Sequence, residues 1–130
     1  MSSTPPAPTD PCPCGTARPY GACCGPYLAG EPAPTAEATM RSRYTAYAVG
    51  DVGHLVRTWH PRTRPTDLRI PTLEWVGLRV LGTEAGGPDD ASGTVEFEAR
   101  HLVLGGTEVL HEVSDFVRRG GRWVYVDARA

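Results

Sequence analysis

Cysteine occurs at positions 12, 14, 23 and 24 of this 130-residue chain and nowhere else, within the stretch CPCGTARPYGACC. Three chemistries use cysteine at such density: a disulfide framework, a redox dithiol and a thiolate metal site. Disulfides belong to oxidising compartments, and the near-adjacent partners could pair only through strained small rings, while cross-pairs would staple only a short loop. A redox dithiol calls for C-x-x-C at a helix N-terminus, and this chain has C-x-C. A metal site meets neither objection. Cys12 and Cys14 project to the same side of an extended segment, and Cys23 and Cys24 lie about 100° apart on a helical turn. Four thiolates can then converge on one tetrahedral ion at about 2.3 Å. The expected ion is Zn2+, although four thiolates can also hold iron. A shell filled by Cys12, Cys14, Cys23 and Cys24 leaves no place for water, so the expected role is structural. Gly15 suits a tight turn after the first pair, and Arg18 supplies charge against the dianionic centre.

A second group of residues has the makings of a binding site. Arg41 and Arg43 are two apart, hence about 200° apart on a helix. One reading pairs one of them with a carboxylate and leaves the other solvated; another holds an anion on Arg43 beside Tyr44 and Tyr47. His60 before Pro61 is either an acid/base or a charge at a helix C-terminus. Trp59, Trp75, Trp123 and Tyr125 are core or pocket wall. Glu112 and Asp127 are inward candidates that would need partners if buried. The candidate ligand-binding set is therefore Arg41, Arg43, Tyr44, Trp59, His60, Trp75, Glu112 and Asp127, and no catalytic residue is assigned. His111 and Glu112 face opposite sides of a strand and cannot form a dyad, and neither His101 nor His111 suits a second zinc.

The elements that must position these residues follow from pattern. Thr35 reads as an N-cap with Glu37 in the first turn, opening a helix over 36–49 whose apolar face is Met40, Tyr44 and Tyr47. Gly50 ends it, and Asp51 caps a second helix striped by Val52, Leu55, Val56 and Trp59 and stopped by Pro61. Residues 61–71 form a proline-bounded loop. Val76, Leu78 and Val80 alternate as a strand, 82–93 is a turn-rich break, and Val95, Phe97 and Ala99 alternate again. Gly105-Gly106 and Gly120-Gly121 mark hairpins on either side of a strand over 107–118, and RWVYVDA closes the sheet. Helices followed by at least four largely antiparallel strands make an α+β layer fold.

Two resemblances attach to these residues. C-x-C-x8-C-C with its CPCG opening and Tyr20 before the second pair resembles the SEC-C zinc motif. The ordered blocks CPCG, CC-x-PYLAGE, MRSRYTAY (40–47), TWHP (58–61), EWVGL (74–78) and GGRWVYVD (120–127) resemble the YchJ-type family of bacterial proteins over residues 10–128. That resemblance implies a SEC-C-like zinc module over 10–30 and a nuclear-transport-factor-two-like domain over 31–130. Such a domain is a cystatin-like cone in which helices pack on a bent, largely antiparallel sheet around a pocket. A disordered tail over 1–9 is expected ahead of it. It implies no particular reaction.

Composition narrows the function. Net charge is −2 and every one of the 13 basic residues is arginine, which removes lysine-nucleophile chemistry and any general attraction to nucleic acid or anionic membrane. The set Arg57, Arg62, Arg64 and Arg69 is the weak exception. No apolar run spans a bilayer and no secretory pattern is present, so the expected compartment is the cytoplasm. The expectation is a zinc-binding module that presents its cone to a partner protein or small ligand. The alternative is a small lyase or isomerase using the same pocket, and His60, Glu112 or Asp127 enclosed there without a charge partner would favour it.

Overall fold

The computed structural model describes residues 6–129. Short α1 (Gly25–Leu28) follows a 3-10 turn at Tyr20–Ala22, and α2 (Ala36–Val49) and α3 (Val52–Arg57) precede strands β1 (Trp75–Ala85), β2 (Ser92–Val103), β3 (Gly106–Arg119) and β4 (Arg122–Ala128). The caps fall where the sequence put them. Thr35 Oγ1 accepts from Ala38 N at 3.0 Å, Gly50 takes the left-handed conformation, and Asp51 Oδ1 accepts from His54 N at 3.0 Å. The strands form one antiparallel meander in the order β1-β2-β3-β4, which establishes the expected α+β architecture.

Details depart from the pattern reading for identifiable reasons. The break expected over 82–93 is shorter, because β1 runs to Ala85 and β2 starts at Ser92. Turn residue Gly86 accepts from Ala36 N at 2.9 Å, tying the turn to the start of α2. Val103 pairs with Gly106, so the β2–β3 turn is Leu104-Gly105, one residue earlier than expected. Val76 is exposed, not inward, because a bulge between Trp75 and Gly77 breaks the alternation. In α3 the expected stripe holds at Leu55, which is buried, and fails at Val52, which is exposed, while His54 is buried beside it. In α2 burial extends well beyond one face and includes Ser42, Arg43 and Thr45.

The zinc module expected over 10–30 packs its cysteines into the main core. Cys12, Cys14 and Cys24 share one apolar cluster with Met40, Tyr44, Phe97 and Trp123. Of the tail expected to be disordered, residues 1–5 lie outside the described residues. Residues 7–10 are engaged: Gly21 N donates to Pro8 O at 2.9 Å and Tyr20 N to Asp10 O at 2.7 Å.

Candidate metal centre and binding cavity

The cysteine segment folds back on itself through an isolated bridge between Pro11 and Pro19. Cys12 N donates to Arg18 O at 2.9 Å and Gly15 N to Cys12 O at 3.2 Å. Gly15 has φ +87° and sits against β1, where an added Cβ would lie 3.3 Å from Leu78 O. Its N–H closes the turn, and the backbone N–H groups of Cys14 and Cys24 favour the Cys12 thiolate. Cys24 stands at the start of α1. The result is four sulfurs all within 4.8 Å of one another, with Cys14 and Cys23 Sγ 3.6 Å apart and all four thiols free. An ion at about 2.3 Å from four sulfurs spaces them about 3.8 Å apart, so the separations suit a single ion and no disulfide.

The surroundings also fit a cation. Thr16 Oγ1 lies 3.2 Å from Cys23 Sγ and 3.8 Å from Cys14 Sγ. Arg41 Nη1 donates to Cys14 O at 3.0 Å while its Nε pairs with Glu37 Oε2 at 3.0 Å. The buried Thr45 hydroxyl has no hydrogen-bond partner, yet it lies close enough to Cys24 to favour that residue's thiolate. Without a cation the cluster is electrostatically divided. Hydrogen bonds from Cys14 and then Cys24 pull Cys12 down to about 3, while Cys12, Cys14 and burial push Cys24 upward. One thiolate is tolerated and the next is resisted, as in any dry cluster of acidic groups. A divalent ion relieves that repulsion.

The second site is a cavity of about 360 Å³ between α2 and the concave side of the meander. Alternate residues of β3 (Leu110, Glu112, Ser114, Phe116) and of β2 (Phe97, Ala99, His101) line it, with Arg43, Tyr44 and Tyr47 from α2 and Trp59, Trp75 and Tyr125 completing the wall. Arg43 is 5% exposed. Its Nη1 donates to Leu55 O, Thr58 O and Thr58 Oγ1 at 3.2, 3.1 and 2.9 Å. Its guanidinium carbon lies 4.7 Å from the Trp59 ring centroid and 4.6 Å from that of Tyr125. Burial pulls it down to about 10, so it stays charged at neutral pH. Glu112 Oε2 accepts from Ser114 Oγ at 2.7 Å and Tyr125 OH at 3.2 Å. Burial raises Tyr44 to about 12, and burial with the Glu112 charge raises Tyr125 further, so both phenols stay protonated. The indole nitrogens of Trp59 and Trp75 are buried with no partner.

Of the eight candidate binding residues, the structure brings Arg43, Tyr44, Trp59, Trp75 and Glu112 together at the cavity. Three lie elsewhere. Arg41 braces the cysteine centre. His60 contributes its N–H to Tyr125 O at 2.8 Å, and its ring accepts from Arg62 N at the surface. Asp127 is exposed and accepts from Ala128 N. The reading that pairs one arginine with a carboxylate holds in part, because Arg41 pairs with Glu37 on its own helix and not with a carboxylate on the sheet, and Arg43 is not solvated but buried against aromatic faces. His101, weighed in the sequence only as a zinc ligand, continues the inward row of Val95, Phe97 and Ala99 and lines the cavity. His54 had no sequence signal apart from its position beside Leu55. Among the weak basic set, Arg57 is taken up by Leu28 O and Arg69 by Asp67.

Fold and site together define a SEC-C-type cysteine motif set into a nuclear-transport-factor-two-like domain. The SEC-C model matches residues 9–26, and the model described as the middle nuclear-transport-factor-two-like domain of YchJ matches residues 35–128. The chain belongs to this YchJ-type family, whose curated members are named UPF0225 proteins. It is 51% identical over 122 residues to the UPF0225 protein of Streptomyces coelicolor, covering 92% of this chain and 95% of that one. The Chromobacterium violaceum member is also 51% identical, over 121 residues, covering 88% and 89%. Among solved structures, a SEC-C motif containing protein from Rhodopseudomonas palustris superposes with TM-score 0.81 at 37% identity, covering 93% of this chain and 98% of that one. Another from Psychrobacter arcticus gives TM-score 0.79 at 27% identity, covering 92% and 82%. No helix among the described residues is long and apolar enough to cross a membrane.

Proposed function

We propose that this protein binds a small, largely apolar molecule in the cavity, and that a structural Zn2+ held by Cys12, Cys14, Cys23 and Cys24 fixes the cavity's wall. The observation that carries the reading is the cavity's unspent polar groups. A buried arginine, Arg43, lines the cavity with no ion pair among the described residues and hydrogen-bonds through Nη1 alone, while Glu112 accepts at Oε2 only. Buried donors without acceptors are rare and costly, and a ligand that accepts from them removes the cost. The zinc closes its own shell, so it supplies rigidity and no chemistry. A reducing cytoplasm is the setting in which four free thiolates persist.

A second reading rests on Glu112. It lies in an apolar chamber with no ion pair, the arrangement expected of a general base in a lyase or isomerase. His60 and Asp127, the other candidates for that reading, lie outside the cavity, so Glu112 alone supports it. Native mass spectrometry of the protein purified from its own host tests the proposal. The expected result is a small molecule retained at one per chain, lost in a Trp75→Ala variant that keeps its metal. Retention of a partner protein with an empty cavity would contradict it.

A further inference from the structure

The cavity's polar groups carry an inference about the class of ligand, resting on the binding reading above. All three hydrogen bonds of Arg43 run through Nη1, so Nε and Nη2 have no acceptor. Trp59 and Trp75 line the same wall, but their indole nitrogens are sealed from the cavity and serve as reporters, not as donors to a ligand. Against the Arg43 donors stands one carboxylate, Glu112, which takes two hydrogen bonds at Oε2 and none at Oε1. Arg43 and Glu112 line the same chamber without touching, and the formal charges of the pair cancel. The walls are otherwise aromatic and aliphatic.

Each charge class of ligand meets an obstacle there. An anion satisfies Arg43 but sets a second negative charge beside Glu112 in a medium that screens poorly. A cation satisfies Glu112 and opposes Arg43. A hydrocarbon leaves every donor unpaired. We infer that the cavity takes a neutral molecule with an aromatic or alicyclic body and a carbonyl joined to an N–H donor, the amide class, the carbonyl accepting from Arg43 and the N–H facing Glu112. A volume of about 360 Å³ lies at the small end of ligand pockets and suits one or two fused rings.

The test is a ranking of three probes of one shape: 2-naphthamide, 2-naphthoate and naphthalene. Binding is followed through the three indole N–H signals of 15N-labelled, metal-loaded protein. Trp123 is an internal reference, because its Nε1 already donates to Pro34 O at 3.1 Å. The amide is expected to bind roughly tenfold or more tighter than either other probe, moving the Trp59 and Trp75 signals and leaving Trp123 in place. Glu112→Gln removes the negative charge and is expected to bring the naphthoate up to or past the amide. A wild-type preference for naphthoate would overturn the charge argument, and naphthalene binding as tightly as the amide would overturn the hydrogen-bond argument. If no probe moves Trp59 or Trp75, the binding reading itself falls and takes this inference with it. The wild-type ranking decides the class even if the Glu112 variant does not fold.

Discussion

Thr45 illustrates how much a single hydroxyl reveals. Its oxygen is buried and unpartnered beside a sulfur that a metal would hold as thiolate. An unsatisfied hydroxyl costs about 1–3 kcal/mol, so Thr45→Val should stabilise the chelated, metal-free protein by about 1 kcal/mol. The same change should weaken metal retention, because the thiolate loses its donor. Chelator competition and thermal melts of both forms check the two signs; equal effects on both would contradict the assignment. His54 gives a second residue-scale prediction. Arg57 Nη2, 3.3 Å from Nδ1, can only donate, so Nδ1 accepts and Nε2–H points to Ser42 Oγ at 2.8 Å. Burial, then the Arg57 charge, pulls His54 down to about 4 from 6.5. The unfolded chain therefore binds the extra proton between those values, and stability present above pH 6.5 is lost as pH falls toward 4, by about 3 kcal/mol in total. Urea midpoints between pH 4 and 7 should show this slope, and His54→Gln should flatten it. Neither residue was legible in sequence, because each owes its role to a neighbour on another element. The four cysteines were legible because their spacing alone fixes where the sulfurs can go.

At the scale of elements, the strands were readable wherever period two ran unbroken. The inward rows of β2 and β3 placed Glu112 correctly and, extended by one step, reach His101. The reading failed at the Trp75/Gly77 bulge, where an inserted residue reverses the faces, and was incomplete in the two helices, where Met40, Tyr44 and Leu55 are buried as expected but so are polar neighbours. Alpha2 packs against the sheet, α3 and the cysteine segment at once, so no single stripe describes its buried side, and polar Arg43, Ser42 and Thr45 find partners or faces that a hydropathy pattern does not see. The glycine-rich turn was read as loop because glycine marks breaks, yet Gly93 serves close backbone approach inside a strand. A Cβ there would lie 2.5 Å from Gly86 Cα. Gly93→Ala should therefore cost about 2 kcal/mol by forcing β1 and β2 apart and should disturb the Ala36–Gly86 tie to α2. Gly82→Ala, in β1 with open space around it, should be close to neutral. Equal effects from the two, measured by denaturant unfolding, would refute the packing explanation.

The whole molecule behaves as one core. The sequence divides the chain into a zinc module over 10–30 and a domain over 31–130; the buried sulfurs share one cluster with Trp123 and Phe97. The reason this was not legible is that local spacing specifies a ligand set but not what the loaded segment packs against. Metal removal, or Cys23→Ser, should thus lower the stability of the entire chain by several kcal/mol, seen as one earlier transition in the fluorescence of buried Trp123. Loosening confined to residues 10–30 with an unchanged domain transition would show a separable module instead.

The premise beneath these statements is that one ion takes all four sulfurs. X-ray absorption at the metal edge of the purified protein tests it most directly. Four sulfur neighbours at about 2.3 Å and no lighter ligand are the expected shell. A shell containing oxygen or nitrogen, or fewer than four sulfurs with the remaining cysteines oxidised, would contradict it.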